Sequence, residues 1–194
     1  MAKVMNWVTR LAVAAALCSS SLAMAADAPK GRGVARYSVK ASGIAGEGAS
    51  ANVQASLGTV RGVITDFGRY GEFMKPFQSS KIVGRSGDKT NVYFTVPILK
   101  GLNKIWAVLQ VGPPTTTGPE EIISGKMLKG NVRRLNAVWR LRQIDEKNTR
   151  LTLELYVDSG LPLPASFVQS EVSSAVARAL RGARAEAERR ATKG

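Results

Sequence analysis

The chain has 194 residues, 44% apolar and 22% charged: enough for one domain with its own core, and too little charge for a disordered polyelectrolyte. Histidine is absent, which removes the commonest general base, the usual zinc ligand and every Ser-His-Asp or Cys-His arrangement. A single cysteine rules out an internal disulfide, and 28 Lys and Arg against 14 acids (a formal +14) leave shape, apolar surface and basic side chains to carry function.

Residues 1–10 carry Lys3 and Arg10 and no acid, residues 11–18 are a short apolar run, and Ala23-Met24-Ala25 is a small-x-small end. This is the pattern of a secretory signal, with cleavage predicted after Ala25 and a periplasmic or secreted destination. The run is too short to span a bilayer. Cys18 follows Leu17, where a lipoprotein signal would carry a small residue, and it leaves with the signal. The mature chain loses two cations and keeps +12.

Residues 26–33 read as a flexible lead-in, and 34–190 as one domain without repeats. Arg36 to about Gln54 is β-type sequence interrupted by Gly43, Gly46 and Gly48, a long bent first strand. Ser56 is placed to cap a helix whose Leu57, Val60, Ile64 and Phe67 share a face, and a second short helix carries Tyr70, Phe73 and Met74. Strands are predicted at 81–85 and 90–96, joined through Ser86-Gly87-Asp88-Lys89, and at 104–111, where Ile105, Ala107, Leu109 and Val111 alternate. The loop 112–119 breaks the chain. Three more strands follow at 121–128, 135–144 and 150–158, the last with Leu151, Leu153, Leu155 and Val157 on one side. Beyond Pro164 the period changes to 3.6: Val168, Val172, Val176, Leu180 and Ala183 make one stripe on a helix of about 24 residues. Such a helix must bury its stripe, and one face of the sheet is the available partner.

The segment Val63-Ile-Thr-Asp-Phe-Gly-Arg-Tyr-Gly-Glu-Phe-Met74 followed by Pro76 resembles a motif of the SRPBCC superfamily, which includes START-type polyketide cyclase/dehydrase-like and coenzyme-Q-binding proteins. Residues 149–158, then Leu161-Pro-Leu-Pro164, resemble that superfamily's last strand and the entry into its C-terminal helix, and Trp139 sits where many members carry a Trp. The resemblance implies an α+β helix-grip: a curved antiparallel sheet of about seven strands around a long C-terminal helix, two short helices after the first strand, and an apolar cavity between sheet and helix. It further implies a binding or carrier role for a lipid, quinone or polyketide-like molecule. The alternatives are a cyclase/dehydratase-type enzyme, or a protein-interaction module with a filled cavity.

On that geometry the candidate cavity residues are Phe67, Tyr70, Phe73, Met74, Tyr93, Trp106, Trp139, Leu163 and Phe167. No catalytic group, metal site or cofactor is expected. Gly46-Glu-Gly48-Ala-Ser-Ala51 matches a dinucleotide fingerprint but lacks the apolar strand before it and the long helix after it, so it reads as a glycine-bent strand. Glu120 and Glu121 are adjacent on a strand and point to opposite faces, so they are not a catalytic pair. Asp66 reads as a helix-ending or capping residue. Arg178, Arg181 and Arg184, three apart, form a stripe on the final helix suited to an anionic membrane surface. Nucleic acid would also suit the charge, but export argues against it.

Overall fold

The computed structural model describes residues 33–193 apart from 42, 99, 100 and 161; the expected signal and nearly all of the lead-in lie outside the described residues. The first β-rich stretch is two strands, β1 (Ala35–Ala41) and β2 (Ile44–Val53), rather than one bent strand. They pair antiparallel with Ala41 opposite Ile44, and Gly43 (φ 77°) makes the reversal. Gly46 and Gly48 pair with both neighbouring strands without a register shift. They give room on the outer face to the Tyr156 and Tyr37 rings: a Cβ at Gly46 would lie 2.7 Å from Tyr156 Cδ1. Two aromatic rings therefore cover the glycines of a strand that would otherwise pack poorly.

Helix α1 (Leu57–Ile64) starts where expected, with the Ser56 hydroxyl accepting from the Thr59 amide at 3.3 Å. It stops at Thr65, before Phe67; a single 3-10 turn (Phe67–Arg69) leads into α2 (Tyr70–Phe73). Asp66 makes no side-chain cap, contrary to its capping assignment. It accepts instead from Arg190 at 2.7 Å, far along the chain.

The remaining strands are β3 (Ser79–Ser86), β4 (Lys89–Ile98), β5 (Asn103–Val111), β6 (Thr115–Thr117), β7 (Glu120–Gly130), β8 (Arg134–Asp145) and β9 (Asn148–Asp158). Among the described residues the sheet therefore has nine strands, not about seven, because the first region is a hairpin and the 112–119 break hides the short β6 against β7. Its order is β1-β2-β9-β8-β7-β5-β4-β3, antiparallel in every pair, with β1 and β3 as open edges. A bulge at Ile82/Gly84 interrupts pairing on the β3 edge, a common device against edge-to-edge association.

Helix α3 (Ala165–Ala191), 27 residues and ~40 Å long, lies across the concave face. The sheet curving around this helix is the helix-grip architecture. Its C-terminal half buries Val176, Leu180, Ala183 and Ala187 against Ala49, Ala51, Val53, Leu151 and the α1 residues Val60 and Ile64. Glu120 and Glu121 do divide between the two faces. Glu121 turns inward and takes a bidentate pair from Arg61 of α1 (2.6 and 2.7 Å), while Glu120 lies 3.6 Å from Arg140 outside.

Candidate ligand cavity

Antiparallel pairing makes alternate residues share a face. Phe94, Val96 and Ile98 of β4 therefore point to the concave side with Ile105, Ala107 and Leu109 of β5, and across the sheet with Ala137, Trp139, Leu153 and Leu155. Over this patch lies the N-terminal half of α3, which presents Val168, Val172 and Ala175, all half-buried. Small side chains on both sides, Ala107, Ala137 and Ala175 with Gly125 of β7, keep the layers from filling the gap. A cavity of about 170 Å³ remains, lined almost wholly by apolar groups.

Tyr70 forms its inner corner. The ring lies 5.8 Å from Phe94, 5.5 Å from Phe77 and 6.0 Å from Phe67, measured between centroids. Its hydroxyl donates to the Ile64 carbonyl, so the phenol offers no free donor to a ligand. Burial, with the negative charge of Asp66, pushes its ionisation well above the ordinary phenol range, and the Trp139 indole pulls the other way. Pro97, Phe167 and Arg178, the exposed members of the lining, mark the rim.

Of the residues expected at the cavity, Phe67, Tyr70, Trp139, Leu163 and Phe167 line it. Four do not. Met74 is fully buried in the core, and Phe73 sits between Tyr70 and the Arg190 guanidinium, 5.9 Å from its ring. Tyr93 and Trp106 contact each other, 6.3 Å apart, on the outer face. Their parity decides this: Trp106 falls between Ile105 and Ala107, and Tyr93 between Val92 and Phe94. The alternation in β5 contained this information. Phe77, Phe94 and the small residues of the wall were missed, because neither size nor composition marks a residue as facing a void.

The outer face is polar. Glu154, buried there, accepts from Tyr156 at 3.0 Å and Arg140 at 3.4 Å, with Tyr37 on its other oxygen. Burial and the Glu154 charge push the Tyr156 phenol up to about 12.

The arginine stripe is broken. Arg178 and Arg181 are exposed, but Arg184 is 8% exposed and paired with Glu188 at 2.9 Å, whose same oxygen takes the Gln54 amide at 3.1 Å. A three-residue step on a helix of 3.6 per turn drifts around the axis, and by Arg184 it has reached the packed flank. Among the described residues no group of three or more His, Cys, Asp and Glu is placed to hold a metal, and no helix is long and apolar enough to cross a membrane.

The family model described as "Polyketide cyclase / dehydrase and lipid transport" matches residues 53–181, from the end of β2 into the C-terminal half of α3. The chain belongs to this family. Its fold is shared with a STAR-related lipid transfer protein from Xanthomonas axonopodis (TM-score 0.69, 14% identity, 82% of this chain and 96% of that one). It is shared too with a START superfamily protein from Mycobacterium smegmatis (TM-score 0.60, 19% identity, 76% and 97%). A third is the Zhui aromatase/cyclase from a Streptomyces species (TM-score 0.58, 15% identity, 83% and 95%). None of the curated proteins matches the sequence. Membership in the polyketide cyclase / dehydrase and lipid transport family makes this a START-like domain for hydrophobic ligands.

Proposed function

We propose that this protein is an exported carrier that holds a small hydrophobic or amphipathic molecule between its sheet and the N-terminal half of α3. One observation carries the reading: a gap of about 170 Å³ persists beneath a long helix whose other half is tightly packed against the same sheet. Interiors are normally packed to crystal-like density, so an apolar gap of this size is a feature to be explained. Voids of about 150 Å³ lined by aliphatic and aromatic groups stay dry and take up a single aromatic ring. Binding is favoured over catalysis because the inner wall offers a ligand almost nothing but apolar surface, and the Tyr70 hydroxyl is already committed.

The signal-like N-terminus supports export to the periplasm or exterior. The exposed rim supports exchange with an anionic membrane: Pro97 and Phe167 (37% exposed) are apolar, and Arg178, with Arg181 beyond it, supplies charge on the helix that carries Phe167. The carrier reading is tested with a neutral apolar dye, N-phenyl-1-naphthylamine, whose phenyl ring fits the gap while its naphthyl group lies toward the rim. Saturable binding with enhanced fluorescence is expected, and Ala175→Phe, which places a ring in the gap, should abolish it while leaving the circular dichroism spectrum intact. A folded Ala175→Phe variant that binds the dye as before would overturn the reading.

A further inference from the structure

A second depression, about 690 Å³, lies beside the cavity at the end of the sheet where β2 begins, β8 begins and β9 ends. It is bounded by the Gly43–Glu47 stretch, by Arg133 and Arg134, and by the 157–160 segment that leads to α3. It shares Val157, Ser159, Leu163, Val168 and Val172 with the cavity, so the two spaces are separated by apolar side chains alone along most of their boundary.

The cavity by itself is smaller than the roughly 300–1,000 Å³ that encloses a drug-sized ligand. A longer molecule has to extend beyond it, and the adjoining groove offers a continuation that is polar where the cavity is not. Arg133 and Arg134 are exposed, and among the described residues neither guanidinium has an ion-pair or hydrogen-bond partner. Arg133 is nevertheless positioned. Its amide donates to the Asp158 carbonyl at 3.0 Å, and its side chain lies flat on Gly160, where a Cβ would stand 2.6 Å from its Cγ. Gly160 has φ 62°, so a glycine both makes the turn and clears the space for the arginine.

Two carboxylates share the groove. Glu47 is buried, with one oxygen taken by Gln169 of α3 at 2.8 Å and Ser38 of β1 at 3.0 Å. Asp158 is half-buried opposite Arg134 in the strand register. The cations are thus the more accessible charges, on a chain of formal charge +14.

We propose that this groove is the headgroup site for a single-chain carboxylate amphiphile. Arg133 and Arg134 pair with the carboxylate, and the chain passes Leu163, Val168 and Val172 into the cavity. The proposal rests on the carrier reading above and specifies its ligand.

The test is displacement of N-phenyl-1-naphthylamine by decanoate, 1-decanol and decyltrimethylammonium, on the unmodified protein and on Arg133→Gln/Arg134→Gln. Decanoate should displace at concentrations about tenfold lower than decanol, the worth of one hydrogen bond between charged groups. The double variant should erase that preference and leave decanol unchanged. Equal potency of decanoate and decanol on the unmodified protein, or the ammonium compound as the best competitor, would overturn the headgroup site while the carrier reading stands. Failure of the dye itself to bind would overturn both.

Discussion

The two halves of α3 lie on the same sheet and solve different problems. From Val176 to Ala187 the helix is core: its apolar residues are buried against β2, β9 and α1, and its buried polar ones, Arg184 and Glu186, are ion-paired. Glu186 takes Arg189 at 2.6 Å and Arg190 at 2.8 Å, and Arg190 reaches Asp66 at 2.7 Å beside α2. From Ala165 to Ala175 nothing is fully buried, and the side-chain tie to the sheet is Gln169, bonded to Ser38 and Glu47. One continuous hydrogen-bonded rod is thus anchored at one end and roofs a cavity at the other. A helix can serve both roles because its backbone is satisfied internally whether or not its face is packed.

The contrast breaks most sharply at Gly182. A Cβ there would collide with the Phe73 carbonyl and stand 2.9 Å from Met74 Cα, so Gly182→Val must push the helix off backbone, not off a flexible side chain. We expect a loss of about 3 kcal/mol or more in denaturant unfolding. Ala175→Val, on the cavity half, should cost within about 1 kcal/mol, since its methyls enter free space. Equal costs at the two positions would erase the distinction between the halves.

Trp139 sharpens it next. Trp139→Ala should cost about 2–3 kcal/mol, below the ~3–5 kcal/mol of a tryptophan packed on all sides, because one face of the indole already meets a gap. On the exposed face of α3, Arg178→Gln/Arg181→Gln should leave the melting temperature unchanged and lower binding to anionic vesicles by about 2 kcal/mol, with neutral vesicles binding neither protein.

The smallest effect concerns the anchor. Arg189 and Arg190 hold the Glu186 carboxyl at about 2, below its ordinary 4.5. A carboxylate depressed in the folded state contributes stability above its unfolded value, and that contribution is lost as pH falls from about 4.5 to about 2. Glu186→Gln should cost about 1 kcal/mol at neutral pH and flatten this part of the acid profile.

Much of this was legible in the sequence. The switch from period 2 to period 3.6 after Pro164 located α3, and the Leu151–Val157 alternation located β9 and its inward face. Ser56 marked the start of α1. The misreadings have physical causes. Gly43 and Gly46 look alike in sequence, yet one turns the chain at positive φ and the other makes room for a tyrosine from a distant strand. Thr115–Thr117 is a strand only because β7 pairs with it, amid prolines and glycines that signal a loop. Size alone points Tyr93 and Trp106 inward, but strand parity turns them to the outer face. Arginines spaced by three drift around a helix that turns every 3.6 residues, so Arg184 falls on the packed flank. The cavity itself is a difference between the volumes of two facing layers, and no single residue announces it.

The most direct test is an amide NMR titration with 1-decanol. We predict saturable shifts at Ala137, Val172 and Ala175, with Ala183 and Ala187 on the anchored half unmoved. Shifts of equal size along the whole of α3, or none that saturate, would contradict a ligand space confined to its N-terminal half.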